Sequence, residues 1–81
     1  MAENLQHIFA QVLRQMRAER GLSQEELAFD SGYHRTYIGL LERGLRTPSI
    51  TTVFKLAAAL HIRPSELIRQ TENQSEAAID K

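Results

Sequence analysis

A chain of 81 residues, 42% of them apolar and 25% charged, has the composition of one small globular domain and not of a disordered segment. Its formal net charge is zero and it holds no Cys, which excludes disulfides and thiolate metal sites, fits a reducing cytosol, and withholds the overall basic excess common among nucleic-acid binders. A domain of this size buries only about 60 to 65% of its unfolded surface, so a self-association interface would add to a thin core.

Met1–Gln6 has no basic stretch leading into an apolar run of about 7 to 15 residues, so no signal peptide is read. The longest unbroken apolar run, Leu56–Leu60, is far short of a membrane span. The zero average also hides a gradient. Residues 1–70 hold nine Lys or Arg against seven Asp or Glu, and residues 71–81 hold one against three. Arg35, Arg43 and Arg46 lie within a dozen residues, opposed by Glu42. Because attraction to phosphate is local and screened beyond roughly 8 to 10 Å, the placement of these cations matters more than the sum.

In chain order, Leu5, Ile8, Phe9, Val12, Leu13 and Met16 recur at i, i+3, i+4, i+7, i+8 and i+11, which puts one apolar stripe on a helix over residues 5–20. Asn4 is placed to cap it and Gly21 to end it, with Arg17 and Arg20 near the negative end of its dipole. Core packing accounts for the stripe.

Ser23 stands three residues before Glu26, the spacing of a capping box, and Leu22 and Leu27 flank it as a hydrophobic staple. A second helix therefore starts at Ser23, and it stops near Ser31–Gly32, where Gly supplies the positive φ of a helix end. Gln24 follows the cap, where free N–H groups attract phosphate; its amide serves either the DNA backbone or as a brace for the next helix. Phe29 and Asp30 close this helix. Phe29 is expected to be partly exposed or to make a contact of its own, and nothing assigns it a role.

A third helix follows at once from His34 or Arg35, with Ile38 and Leu41 as its buried edge and Gly44 as its stop. Two helices of about eight residues are marginal alone and must lean on a third element. With Ile38 and Leu41 inward, steps of about 100° leave residues 35, 36, 39, 40 and 43 on the outer face or its flanks. At the helix start, Arg35 can carry its fork into a major groove, to guanine O6 and N7. Thr36 offers a hydroxyl and a methyl to a base edge or a thymine. Tyr37 stands on the flank, able to give its hydroxyl to phosphate or its ring to sugar. Leu40 suits a thymine methyl. Gly39 inside a helix costs about 1 kcal/mol relative to Ala, and either close approach of the backbone to DNA or simple drift from another small residue explains it. His34 reads as a weak cap or a phosphate neighbour. His7, His34 and His61 show no metal-ligand spacing.

Arg43, Arg46 and Thr47 occupy the next loop, where Thr47–Pro48 forces extended backbone. A basic loop leaving a groove crosses the phosphate backbone or dips into a narrow minor groove. From Pro48 a fourth helix begins, capped by Ser49 or Thr51. Its Val53, Phe54, Leu56, Ala57 and Leu60 cover more than one face, enough to bury one side and offer the other to a partner. Pro64 and Ser65–Glu66 open a last helix bearing Leu67 and Ile68. The domain is thus expected over residues 1–70. The acidic stretch TENQSEAAIDK at residues 71–81 is either a frayed tail or a short helical extension, with Ala77, Ala78 and Ile79 available for docking.

The segment SQEELAFDSGYHRTYIGLLERG resembles the helix-turn-helix of the phage-repressor (Xre-type) family through Gln24, Glu26, Leu27, Ala28, Gly32, Ile38, Glu42 and Gly44. Within that family HRTYI followed by ERGLR is most like the restriction-modification controller proteins, small dimeric regulators. The resemblance implies an all-α, five-helix, lambda-repressor-like fold with the helix-turn-helix at helices 2 and 3. It implies an ion pair between Arg17 and Glu42 that locks the recognition helix to the scaffold. DNA contacts at Arg35, Thr36 and Tyr37 also follow from it, whereas Leu40 departs from the pattern by standing where a polar reader is often found. Pairing of two copies through the last two helices is implied too, at Val53, Leu56, Leu60, Ile62, Leu67 and Ile68.

The function these readings support is a sequence-specific transcriptional regulator, a homodimer on pseudo-palindromic double-stranded DNA with recognition helices about 34 Å apart. It would work in the cytoplasm at the nucleoid and contact or block RNA polymerase; activation and autoregulation follow from the resemblance alone. The chain has no room for an effector domain, so no small-molecule effector and no cofactor are expected. Zero net charge and Leu40 favour the alternative, an antitoxin or protein-interaction module with the same fold and weak DNA binding. An enzyme is not expected, since no phosphate-cradling Gly loop, Cys or metal set is present.

Overall fold

The structure, a computed structural model, describes residues 5–79, with side chains described through residue 75. The Asn4 cap and the side chains of Ala77, Ala78 and Ile79 therefore lie outside the described residues. Five helices follow one another: α1 Leu5–Glu19, α2 Gln24–Ser31, α3 Arg35–Glu42, α4 Ile50–Leu60 and α5 Pro64–Ile79. There is no strand among the described residues.

Local chemistry sets the boundaries. Ser23 Oγ accepts from the Glu26 N–H at 3.0 Å while the Glu26 carboxylate accepts from the Ser23 N–H at 2.8 Å, which closes the capping box of α2. Ser49 caps α4 by accepting from the Thr52 N–H at 3.0 Å. At the other ends α1 to α4 share one device. An N–H two or three residues past the helix end reaches back to a carbonyl five residues earlier: Leu22 to Arg17, Tyr33 to Ala28, Leu45 to Leu40 and Ile62 to Ala57, at 3.1, 3.0, 2.9 and 3.0 Å. The motif needs a left-handed residue, and the chain supplies Gly21, Gly32 and Gly44, then His61 at φ 61°.

The helices enclose one core. Phe9, Val12 and Leu13 from α1 meet Leu27 and Ala28 from α2, Ile38 and Leu41 from α3, and the inner faces of α4 and α5. The same core takes in most of the residues that the resemblance places between two copies. Val53, Leu56, Leu60 and Leu67 are buried inside their own chain, and Ile62 packs against the same cluster, so these side chains have little surface left to give a second copy. An 81-residue chain spends its large apolar groups on its own interior first. Ile68 of that expected set is outward at 45% exposure, and beside it on α4 stand Ile50 at 66% and Phe54 at 56%. Leu5, read as part of the α1 stripe, is also exposed, and α5 continues as a helix across residue 70 to Ile79.

Candidate nucleic-acid interface

α3 is held from beneath. Ile38 and Leu41 are fully buried, and α3 packs against both α2 and α1. The last helical residue, Glu42, has 1% exposure, so its carboxylate must be satisfied within the protein. Arg17 grips it with two bonds, Nε to Oε2 at 2.6 Å and Nη2 to Oε1 at 3.0 Å. The Gln24 amide donates to Oε1 at 2.9 Å. The remaining Arg17 nitrogen, Nη1, donates to the Leu22 carbonyl at 2.8 Å, and Arg14 Nη1 donates to the Glu42 carbonyl. One carboxylate thus ties α1, the turn before α2, and α2 itself to the end of α3.

The Glu42 hydrogen bond raises the Arg17 pKa above that of a free guanidinium against the opposing effect of burial, with Coulombic attraction to Glu42 adding to the rise. A base raised in this way contributes its stability in full below its unfolded pKa and loses it only as pH rises through the still higher folded value. The grip is therefore constant through the neutral range as far as Arg17 is concerned.

Gln24, read as either a phosphate ligand or a brace, has its amide N–H turned to Glu42. One of its two amide N–H groups is engaged there. Arg14 was not singled out in the sequence. The available signal was its position one helical turn before Arg17, on the same side of α1.

The outer side of α3 is open. Arg35 and Thr36 are exposed, and Leu40 and Gly39 are half-buried. Arg35 stands 4.0 Å from the Glu25 carboxylate with both side chains largely in solvent, a contact of little energetic weight. His34 caps the helix: its Nδ1 accepts from the Thr36 N–H at 3.1 Å, so the neutral ring carries its proton on Nε2. Tyr37 turns aside to meet Tyr33, with ring centroids 5.0 Å apart, and Tyr33 bonds Thr52 through its hydroxyl at 2.9 Å. That aromatic pair fixes the turn of the helix-turn-helix to the start of α4.

Beyond α3, Arg43 lies back along its own helix, its Nε on the Gly39 carbonyl at 3.3 Å, while Arg46 and Thr47 are exposed. This loop is held from α1. Gln6 Nε2 donates to the Gly44 carbonyl at 2.9 Å and Gln6 Oε1 accepts from the Thr47 hydroxyl at 2.6 Å. Gly44 has φ 74°, which favours Gly, and a Cβ there would stand 2.5 Å from His7 Nδ1, so the His7 ring would have to move to admit one. Gln6 escaped the sequence reading because its partners are 38 and 41 residues away and a Gln near a helix start looks like any good helix former.

Two apolar features face elsewhere. An open groove of about 600 Å³ runs between Leu5 and Phe9 of α1, Pro48 and Ile50 at the start of α4, and Ile68 of α5. On α2, Phe29 is 86% exposed and lines a shallow notch with Leu22, Glu25, Glu26 and Asp30. No group of His, Cys, Asp and Glu suited to a metal ion occurs among the described residues.

A short helix locked on its inner side, joined by a tight turn to a capped companion and followed by a basic loop, is the arrangement of a helix-turn-helix protein. Residues 13–67 match the Helix-turn-helix family. Control protein C.BamHI of Bacillus amyloliquefaciens is 41% identical over 69 residues, which is 84% of this chain and 85% of that protein. The fold matches that of the restriction-modification controller protein C.AhdI from Aeromonas hydrophila with a TM-score of 0.75 and 52% identity, covering 76% of this chain and 94% of the other. It also matches the controller protein C.Esp1396I, seen as a tetramer with its natural 35 base-pair operator, at a TM-score of 0.81 and 26% identity over 89% of this chain and 95% of that one. This chain belongs to the helix-turn-helix family, and restriction-modification control proteins are among its relatives.

Proposed function

We propose that this protein is a sequence-specific DNA-binding transcriptional regulator that acts as a homodimer on a pseudo-palindromic operator, in the manner of a restriction-modification controller. The observation that carries the reading is the fixed orientation of α3: Ile38, Leu41 and Glu42 are buried, and Arg35 and Thr36 consequently stand in solvent on the opposite side. Arg35 reads guanine through its fork, Thr36 and Leu40 meet base edges or a thymine methyl, and Gly39 lets the backbone come close. Arg43 and Arg46 neutralise phosphates beside the groove, with Tyr37 and His34 on the flanks of the contact. Gln24 supports the reading head from behind through Glu42. The operator-bound controller C.Esp1396I supports both the DNA and the self-association in this reading.

Self-association uses the outward set Ile50, Phe54 and Ile68 together with the groove beside them, since the buried members of α4 and α5 are taken by the core. Two copies joined there offer two recognition helices, which on a two-fold operator enter successive major grooves. Occupancy then follows concentration through coupled dimerisation, and regulation follows from contact with or blockage of RNA polymerase. The protein acts in the cytoplasm at the nucleoid, without catalysis and without a small-molecule effector.

Selection of bound duplexes from random sequence tests this. The expected result is one pseudo-palindrome, bound with an affinity that falls linearly in log-log against salt with a slope set by the phosphates contacted. Enrichment of no sequence, or affinity indifferent to salt, would leave a protein-interaction module instead. Sedimentation should give a dimer for the wild type and a folded monomer for Phe54→Asp; a wild type that stays monomeric at tens of micromolar removes the two-fold.

A further inference from the structure

We infer that Gln6 is a positioning residue for the phosphate-contacting loop, holding residues 44–47 at a set place beside the recognition helix. The inference rests on the DNA-binding reading above. Gln6 lies in the first turn of α1, far from the loop in sequence, and its single amide group engages both ends of that four-residue segment. The donor end takes the Gly44 carbonyl at 2.9 Å and the acceptor end takes the Thr47 hydroxyl at 2.6 Å. Leu45 and Arg46 are the residues between the two pinned points. An uncharged amide is suited to this because it donates and accepts from atoms held in one plane.

The clamp has a second jaw. His7, the next residue of α1, packs its ring over Gly44 closely enough that a Cβ would stand 2.9 Å from its Cε1 as well as 2.5 Å from its Nδ1. Gly44 is itself the left-handed residue that ends α3, so the first turn of α1 grips the recognition helix where its chain direction changes. At the far end Thr47 precedes Pro48, which restricts its backbone to extended conformations. The loop is therefore fixed at Gly44, fixed at Thr47, and exposed at Arg46 in between.

The chemistry reassigns Thr47 from DNA contact to brace. Its hydroxyl has one proton, and that proton is directed at Gln6 Oε1, which leaves only lone pairs for a phosphate oxygen that is itself an acceptor. Phosphate binding in this loop then falls to Arg46, whose approach is preorganised because the backbone carrying it is already ordered before DNA arrives.

Gln6→Ala, Thr47→Val and the double variant, made in the full chain, test this on the operator selected by the wild-type protein. Each single change is expected to weaken binding about tenfold, because a loop not ordered before binding no longer holds Arg46 on its phosphate. The slope of log affinity against log salt should flatten by about 0.9, the share of one phosphate that Arg46 no longer neutralises. Discrimination against a base-pair change under Arg35 should stay as it is, a pattern that general loosening of the fold would not give. The double variant should be no weaker than either single one, because both remove the same brace. Thr47→Val alters one exposed hydroxyl, so a folding defect in Gln6→Ala would leave that second readout standing. A wild type that binds with a salt slope while both variants match it in affinity and slope overturns this role alone, as do additive losses in the double variant. A wild type with no salt-dependent operator binding overturns the DNA reading and this role with it.

Discussion

The two sides of α3 are built on opposite principles. The inner side is finished in the free protein: Ile38 and Leu41 have no exposure, Glu42 is bonded from three side chains, and no buried side-chain nitrogen or oxygen among the described residues lacks a hydrogen-bond partner. The outer side is unfinished. Arg35 has one distant exposed carboxylate beside it, Thr36 stands in solvent, and the space over Gly39 is empty. An eight-residue helix has little stability of its own, so its direction must be imposed by what it packs on. What the contrast teaches is a division of labour: one side spends its interactions on orientation, so the other can present unsatisfied groups without losing its geometry.

The largest effect should come from breaking the inner side. Arg17→Met leaves the Glu42 carboxylate buried with the Gln24 amide as its remaining side-chain donor, which is expected to cost about 3 to 5 kcal/mol. In a domain of this size that lowers the melting temperature by more than about 10 °C, measurable by circular dichroism. Adding Glu42→Leu should recover most of the loss, because removing both charges removes the desolvation problem. A single variant within about 1 kcal/mol of wild type would mean that apolar packing alone orients α3.

On the outer side the expected effect moves from stability to affinity. Arg35→Ala should weaken operator binding by about 1 to 3 kcal/mol and relax selection at one base pair per half-site. The melting temperature should stay within the range of an ordinary surface change, about 0.5 kcal/mol, since the Glu25 contact is exposed and long. Titration against operator variants checks the first part and thermal unfolding the second. If the melt moves and the binding does not, Arg35 belongs to the scaffold.

How legible each side was follows from the range of the forces involved. The capping box of Ser23 and Glu26, the stops at Gly21, Gly32 and Gly44, and the inward pair Ile38 and Leu41 depend on residues within one or two turns of each other, so spacing alone carries them. Glu42 needed the resemblance, because nothing near it in sequence says that a carboxylate will be buried. The outward and inward halves of α4 were not separable. Periodicity groups Val53, Leu56 and Leu60 on a face but does not say which neighbour covers it, and within the chain the other helices do. Gln6 was invisible for the same reason: its bonds to Gly44 and Thr47 close only when α1 and the loop past α3 have already been brought together.

Gly39 gives the smallest effect and the cleanest separation of the two sides. A Cβ there would meet nothing within 4 Å, and its φ is not one that excludes a side chain, so nothing within the chain demands Gly. In a helix interior Gly is worse than Ala by about 1 kcal/mol. Gly39→Ala should therefore stabilise the free protein by about that amount, a rise of roughly 4 to 8 °C in melting temperature. If the outer side comes within contact of a base or phosphate, the same methyl group intrudes there, and operator affinity should fall while stability rises. Opposite signs in the two measurements would tie the empty space over Gly39 to close approach of DNA. A variant more stable and equally tight in binding would make the glycine a residue without a function at this interface, and would put the DNA further from the α3 backbone than Arg35 and Thr36 alone imply.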